Sequence, residues 1–253
     1  MALELPPNAR LEPGGIVLLA AGLARRQEQG LRSWITAGGG GEAISLLQGL
    51  DFLRELGVES KGGPMPAQSP RWVALRRLVD LEVARRQANA TRELLERFVP
   101  AIPASTVRAA EFVFEELAAN IVQHSRAPET GFGLAMVDPG TRRIQIAFGD
   151  AGIGFLESLR SNPEFEGRLA DHAQALRLAL DKRVSRAGTG NIGMGLFLLS
   201  DLADRLQGDL WIATGDALLV RRTDEEGRRT EKIESTAGWN GAWLCLDAPV
   251  PGW

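Results

Sequence analysis

The stretch that decides the fold is EELAANIVQHS, residues 115–125. Its pattern of apolar residues predicts a helix over residues 106–124, with Ser105 as the N-cap. Glu116 and Asn120 are four residues apart, so they share one face of this helix. A carboxylate can take a proton from a nucleophile, and an amide oxygen can ligate Mg²⁺. Taken alone, such a pair is more typical of a solvated helix face, so its meaning depends on the rest of the sequence.

A second stretch, FGDAGIGF at residues 148–155, directly follows a predicted strand. Asp150 therefore stands at a strand end, and Gly152 and Gly154 leave room for something to approach the backbone. A buried carboxylate at such a place can accept a hydrogen bond from an exocyclic amine such as that of adenine. A calcium loop and a plain glycine turn are the alternative interpretations of this stretch alone.

The third stretch is GTGNIGMGL at residues 188–196, which leads into a predicted helix over residues 196–207. Free backbone N–H groups at a helix N-terminus, with no side chains in the way, can cradle phosphates. The stretch also contains the GxGxxG pattern of dinucleotide-binding folds, from Gly188 to Gly193. Such a fold needs a buried strand just before the glycines, whereas the preceding residues here are the charged DKRVSRA. We therefore favour a phosphate-binding loop over a dinucleotide-binding fold.

Composition narrows the class of protein. With 44% hydrophobic and 24% charged residues, the chain can form a packed core. No apolar run approaches the ~20 residues of a membrane helix, and the first residues lack the basic and apolar regions of a secretory signal, so we expect a cytoplasmic protein. The single Cys245 and two histidines argue against a disulfide framework, a cysteine-built zinc site and a histidine-rich metal centre. A net charge of −3 argues against general nucleic-acid binding.

The segment VESKGGPMPAQSP, residues 58–70, predicts a linker, because three prolines and two glycines in thirteen residues fit neither a helix nor an inner strand. It divides a small N-terminal unit, residues 1–57, from a larger domain, residues 71–253. The unit has too few residues for a comfortable independent core, so we expect it to pack on the larger domain or on a partner. Its predicted β-α-β-α elements are a strand at 2–5, a helix at 15–29, a strand at 31–36 and a helix at 43–56.

The larger domain is predicted to contain helices, a hairpin, further helices and closing antiparallel strands, which is typical of an α+β sandwich with a mixed sheet. The predicted strands are 72–79, 131–138, 143–148, 209–214, 217–221 and 242–246, and the predicted helices are 81–98, 106–124, 156–160, 169–182 and 196–207.

In this order and spacing the three stretches resemble the N, G1 and G2 boxes of the GHKL (Bergerat-fold) ATPase superfamily. The resemblance covers residues 94–249 and is closest to the ATP-binding domains of anti-sigma-factor serine kinases. It implies a left-handed α/β sandwich that binds ATP and Mg²⁺ between a sheet-facing helix and a mobile lid, here about residues 155–191. It also implies a regulatory kinase or slow ATPase whose lid state controls a protein partner.

Matched residue by residue, the resemblance implies that Glu116 is the general base, Asn120 the Mg²⁺ ligand and Asp150 the reader of adenine. The other nucleotide-binding residues that it implies, glycines and their neighbours in the two glycine-rich boxes, are Gly152, Gly154, Gly188, Gly190, Gly193, Met194 and Gly195.

The sequence departs from the family pattern at two places. Gln123 stands where many kinase members carry a basic residue, which predicts a weakened contact with phosphate. Many members also have a threonine in the last strand near the adenine, whereas Gly241-Ala-Trp offers no hydroxyl at that place.

The N-terminal unit resembles part of a STAS domain, the fold of anti-sigma-factor antagonists. The opening strands of that family are missing, and its phosphorylatable serine is replaced around Pro13-Gly14. We therefore expect a docking or dimerisation piece rather than a phosphorylation switch. An ordinary α/β extension is the alternative interpretation.

Two functions follow from these patterns. The first is a Mg²⁺·ATP-dependent, serine/threonine-kinase-like phosphotransferase or slow ATPase, which the retained Glu116 favours. The second is a nucleotide-gated protein-binding module with negligible catalysis, which Gln123 favours. The expected partners are ATP or ADP and a regulatory protein; a homodimer is left open, and neither a membrane nor direct nucleic-acid binding is expected.

Overall fold

The computed structural model describes residues 2–6, 9–37, 42–61, 71–165, 167–180, 195–224 and 226–250. They form a three-stranded parallel sheet and a five-stranded antiparallel sheet, both packed against helices. The predicted α+β class is confirmed. No helix in these ranges combines the length and the apolarity that crossing a lipid bilayer requires.

The N-terminal unit builds the parallel sheet, whose strand order is β1-β2-β3. Its elements are β1 (Ala2–Leu5), α1 (Pro13–Glu28), β2 (Trp34–Ala37), α2 (Glu42–Gly49), α3 (Phe52–Glu55) and β3 (Glu59–Lys61). The helix predicted at 43–56 is divided in two, because Asp51 adopts a left-handed conformation with φ of +63°. The unit also has a third strand, β3, in residues that the linker prediction included. The prolines and glycines of that segment all follow β3, and residues 62–70 lie outside the described ranges.

The larger sheet has the strand order β4-β5-β6-β8-β7, and every neighbouring pair is antiparallel. Its strands are β4 (Arg76–Arg77), β5 (Phe132–Asp138), β6 (Arg143–Gly149), β7 (Asp209–Thr223) and β8 (Arg229–Pro249). The prediction of a mixed sheet was wrong. Strands β6 and β7 run in the same direction, as a helical crossover between them favours, but β8 lies between them and is antiparallel to both.

The strand predicted at 72–79 is reduced to the two residues of β4 and an isolated bridge between Trp72 and Met136. Its backbone donors turn to different partners. Val73 N–H donates to the Ala135 carbonyl in β5, whereas Leu75 N–H donates to a carbonyl of the N-terminal unit. The ladder with β5 is therefore interrupted at Leu75, whose donor leaves the sheet.

The helices of the larger domain are α4 (Leu81–Phe98), α5 (Ala104–His124), α6 (Gly154–Arg160), α7 (His172–Ala179) and α8 (Gly195–Arg205). The predicted bounds of α4 are confirmed, and Asp80 caps it by accepting the Val83 N–H at 2.7 Å. The prediction of Ser105 as the N-cap of α5 was wrong. The helix begins two residues earlier, after Pro103, whose φ of −60° is already helical, so Ser105 lies within the first turn.

Strands β7 and β8 form a hairpin that is longer than the predicted strands. The separate strands at 209–214 and 217–221 are one strand interrupted by a bulge at Gly215, whose φ is +53°. Strand β8 was predicted only at 242–246, because the residues before it are polar and exposed and show no apolar alternation. They are nevertheless paired with β7 through main-chain hydrogen bonds.

The larger sheet is covered on both faces. In β6, Ile144, Ile146 and Phe148 face the core formed with α4, α5 and α8, whereas Ala147 faces helix α1 of the N-terminal unit. Helix α1 is held against β8, where Trp243 Nε1 donates to the Gly14 carbonyl at 2.8 Å. The N-terminal unit therefore shares a core with the sheet, while the division of the chain at residues 58–70 stays a prediction.

Candidate functional site

One pocket brings the three glycine-rich and polar stretches together. It lies between α5, the loop after β6, helix α6 and the start of α8, and it is lined by Asn120, Asp150, Gly154 and Gly195. The remaining lining residues are mostly apolar: Leu117, Ile121, His124, Ser125, Phe155, Ser158, Leu159, Ala179, Leu196, Ala242 and Leu244. Asn120, Asp150 and Gly195, which are 30 and 45 positions apart in the sequence, thus meet in one concave and largely apolar pocket.

Asp150 is the buried charge of this pocket, with 4% of its surface exposed. Asp150 lies in the pocket because it directly follows β6 and because its own N–H donates to the Ala242 carbonyl in β8 at 2.9 Å. Its Oδ1 accepts the Gly152 N–H at 2.8 Å. Burial raises the pKa of Asp150 to about 6, and backbone hydrogen bonds from Gly152 and Ala242 offset this only in part.

The loop after Asp150 is pressed against the end of α5. The Ser125 carbonyl accepts the Ile153 N–H at 2.9 Å, and a Cβ at Gly152 would collide with that carbonyl oxygen. Among the described residues, the pocket lining includes Gly154 but not Gly152. The close approach of two backbones therefore accounts for Gly152, independently of any ligand.

Thr214 is a residue of this region that the sequence analysis missed. It is fully buried in β7 beside the bulge, and its hydroxyl accepts the Phe155 N–H and donates to the Gly241 carbonyl, both at 3.0 Å. It thus fastens the loop after Asp150 to the β7–β8 hairpin. Thr214 is not among the residues that line the pocket. The signal that could have found it is Thr214 itself, a polar residue that ends an apolar predicted strand before Gly215.

Glu116 and Asn120 lie beside the first residue of α8. A Cβ at Gly195 would be 3.2 Å from Asn120 Nδ2 and 3.3 Å from Glu116 Cβ, so α8 begins directly against the polar face of α5. Both polar side chains are half-buried. Burial raises the pKa of Glu116, and the like charge of Glu115 raises it further. A carboxylate with a raised pKa is better matched to accepting a proton near neutral pH.

The other predicted site residues are less well placed or lie outside the described ranges. Gln123 is half-buried on α5, its Oε1 has no hydrogen-bond partner among the described residues, and it is not among those that line the pocket. Of the second glycine-rich stretch only Gly195 is described; the residues outside the described ranges are Gly188, Gly190, Gly193 and Met194. Of the predicted lid, residues 155–165 and 167–180 are described and carry most of α6 and all of α7.

No group of three or more histidine, cysteine or acidic side chains is placed to hold a metal ion in the part of the chain that the structure describes. A Mg²⁺ ion bound mainly by phosphate oxygens and water needs only one or two protein ligands. The amide of Asn120 in α5, which lies beside the first residue of α8, is a possible ligand among the described residues of this pocket.

Comparison with models of known protein families finds no match, and comparison with curated proteins finds none either. The functional interpretation therefore depends on the residues of this pocket and on the motifs that meet there.

Proposed function

We propose that this chain is a Mg²⁺·ATP-binding protein with a GHKL-type α/β sandwich, acting as a regulatory kinase or slow ATPase whose lid controls a protein partner. The observation that carries the proposal is the convergence of Asn120, Asp150 and Gly195, one from each of the three boxes, on a single pocket. In the sequence these residues are separated by 30 and 45 positions, so their meeting is a property of the fold.

The inner part of the pocket suits an adenine base. Apolar side chains such as Ile121 and Leu244 provide walls for a planar ring, and the Asp150 carboxylate provides the one buried charge. An exocyclic amine could donate a hydrogen bond to that carboxylate in addition to the one it accepts from the Gly152 N–H. Gly154 adds backbone without a side chain, which lets a ring lie close to the loop.

The end of the pocket at Asn120 suits the phosphates; Glu116 does not line the pocket but lies one turn away on the same helix, beside Gly195. Helix α8 begins there, so the partial positive charge of its N-terminus faces the region where anions would lie. Mg²⁺·ATP, when bound, supplies the phosphoryl group for transfer and the charge neutralisation that transfer needs. Asn120 would hold the metal ion, and Glu116 would take the proton from a partner hydroxyl or from water.

Helices α6 and α7 are the part of the predicted lid that would contact a bound nucleotide. Phe155 and Ser158 of α6 and Ala179 of α7 line the pocket, so a bound nucleotide would contact both helices directly. Occupancy of the pocket would then be transmitted to the outer surface of α7, where a protein partner can sense it.

Thermal unfolding with added nucleotide tests the proposal. Mg²⁺·ATP at a hundred times its dissociation constant should stabilise the protein by about 2.7 kcal/mol, which is a shift of several degrees in the midpoint. ATP without Mg²⁺ should shift it less, because Asn120 would lose the ion through which it acts. The Asp150→Asn variant serves as the matched control and should show a smaller shift. An unchanged midpoint of the wild-type protein at millimolar Mg²⁺·ATP would overturn the proposal.

A further inference from the structure

Two tryptophans of β8, four residues apart, each donate an indole N–H to a main-chain carbonyl. Trp243 Nε1 donates to the Gly14 carbonyl at 2.8 Å and so holds helix α1 on the sheet. Trp239 Nε1 donates to the carbonyl of Asp150 at 2.9 Å. Both rings pack against the core that α1 shares with the sheet, and the indole of Trp239 also binds the backbone of Asp150, which lines the pocket.

Helix α1 contacts both the Trp239 ring and the residue before Asp150. A Cβ at Gly22 of α1 would lie 3.8 Å from Trp239 Cη2, so the ring is in van der Waals reach of the helix. A Cβ at Gly149 would lie 3.4 Å from the Val17 carbonyl oxygen, so α1 also passes directly beside the residue before Asp150. The N-terminal unit thus contacts strand β6, which Asp150 directly follows, and the Trp239 indole, whose N–H donates to the Asp150 carbonyl.

The position of Asp150 is set by its backbone bonds to β8. Its N–H donates to the Ala242 carbonyl at 2.9 Å, and its carbonyl accepts the Trp239 indole N–H. A Cβ at Gly241 would collide with the same carbonyl oxygen, so strand and loop are in close contact here. Because the side chain follows the orientation of its own backbone, a movement of Trp239 would turn the carboxylate within the pocket.

We propose that Trp239 is a positioning residue for Asp150, and that through it helix α1 adjusts how well the pocket recognises an adenine nucleotide. The inference rests on the proposed function, since it concerns the residue that reads the base. It makes the N-terminal unit a regulator of the nucleotide site rather than a passive extension. By linkage, anything that shifts α1 changes nucleotide affinity, and nucleotide binding changes the affinity of α1 for its partner by the same factor.

The matched pair Trp239→Phe and Trp243→Phe tests the inference in the full-length protein. Each change removes one indole N–H and keeps an aromatic ring in the same interface. Equilibrium affinities for Mg²⁺·ATP and Mg²⁺·GTP are measured for both, together with the unfolding midpoint. Guanine presents a carbonyl oxygen where adenine presents an amine, so the ratio of the two affinities reports on the placement of the Asp150 carboxylate.

Trp239→Phe should weaken ATP binding about three- to thirtyfold and lower the ATP:GTP affinity ratio, whereas Trp243→Phe should lower the unfolding midpoint and keep the ratio of the wild type. A merely structural role of Trp239 would reduce both affinities together and leave the ratio intact. Equal ratios in the two variants and the wild type would overturn the inference alone. Failure of the wild-type protein to bind ATP would overturn the proposed function, and the inference with it.

A second pair of variants, at two glycines of α1, tests the contact between this helix and the Trp239 ring. Gly22→Leu places a larger side chain against the Trp239 ring, whereas Gly15→Leu, in the same helix, points into open space. Both changes replace a helical glycine by the same residue with a higher helix propensity, and only Gly22 lies within reach of the Trp239 ring. Gly22→Leu should lower the ATP:GTP ratio as Trp239→Phe does, and Gly15→Leu should leave it unchanged. Indistinguishable ratios for the two glycine variants would contradict the role of α1.

Discussion

The buried carboxyl group of Asp150, with a pKa of about 6, is costly to keep charged at neutral pH. The pKa of Asp150 is higher in the folded chain than in the unfolded one, so the folded state binds the proton more tightly. The stabilisation that results is fully present below about pH 4 and is lost as the pH rises through about 6. A shift of about two pKa units corresponds to roughly 3 kcal/mol.

Replacing Asp150 by asparagine should therefore stabilise the protein at pH 7 to 8, by at most roughly 3 kcal/mol, because the buried charge is removed. The difference from the wild type should shrink as the pH falls towards 4, where the wild-type carboxyl is neutral as well. Denaturant unfolding at several pH values measures both effects. A constant difference across this range would show that ionisation of Asp150 does not govern the stability of the loop.

Glu116 and Asn120 share a helix face but have different roles in the proposed function. Asn120→Ala should weaken Mg²⁺·ATP binding itself, because it removes a ligand of the metal. Glu116→Ala should leave binding nearly intact and reduce turnover by on the order of 10²–10⁴-fold, the usual loss on removing a general base. Titration of nucleotide and a phosphate-release assay, with and without candidate protein partners, separate the two effects.

Turnover by Glu116→Ala that equals the wild-type rate would remove the catalytic role of this residue. Nucleotide-gated binding of a partner would then be the remaining function. Conversely, if Glu116→Ala lost as much nucleotide affinity as Asn120→Ala, Glu116 would contribute to binding, and the separation into a metal ligand and a general base would be wrong.

At the residue scale, candidate side chains could be predicted from the sequence, whereas the contacts that hold the pocket together could not. Glu116, Asn120 and Asp150 were identifiable because their side-chain chemistry and spacing are local properties. Thr214 was missed because its contacts, with Phe155 and Gly241, join three segments distant in sequence. Such contacts depend on the order of the strands, which no local pattern reveals.

At the scale of elements, the docking of α1 on the sheet depends on a glycine. A Cβ at Gly14 would come within 2.8 Å of the Trp243 ring and 3.1 Å of Cys245 Sγ, whereas a Cβ at Gly15 would meet nothing within 4 Å. Gly14→Ala should therefore destabilise the protein by about 1–3 kcal/mol through overpacking. Gly15→Ala, its neighbour in the same helix, should stabilise it by up to about 1 kcal/mol.

Chemical unfolding of the two glycine variants beside the wild type measures the difference. Opposite signs of the two changes are the expected result. If both substitutions stabilise the protein to the same extent, α1 does not pack on β8 as closely as the structure describes.

Elements with a strong local signal were predicted well, and those that depend on a partner were not. Helix α4 has a side-chain cap at Asp80 and an amphipathic pattern, and its predicted bounds agree with the structure. The outer half of β8 has neither apolar alternation nor burial, and only its hydrogen bonds to β7 make it a strand. The mixed sheet was wrongly predicted for the same reason. The position of β8 between β6 and β7 depends on contacts between residues distant in sequence, which local patterns do not indicate.

At the scale of the whole molecule, the five-stranded sheet separates the pocket from the N-terminal unit. Helix α5 and the pocket lie on one face, and α1 lies on the other, with Ala147 of β6 and Cys245 of β8 in the core on the α1 side. The Asp150 loop is the place where the two sides come into contact, through Trp239. This arrangement gives the proposed ATP site a route by which a partner of the N-terminal unit can influence it.

A crystal structure of the protein grown with Mg²⁺ and a non-hydrolysable ATP analogue would show whether this pocket binds the nucleotide. We expect the adenine amine within hydrogen-bond distance of the Asp150 carboxylate, about 2.8–3.2 Å. We also expect the phosphates at the start of α8, with Mg²⁺ bound by the Asn120 amide oxygen and Glu116 facing the terminal phosphate. An analogue bound outside this pocket, or a base that points away from Asp150, would contradict the proposed function.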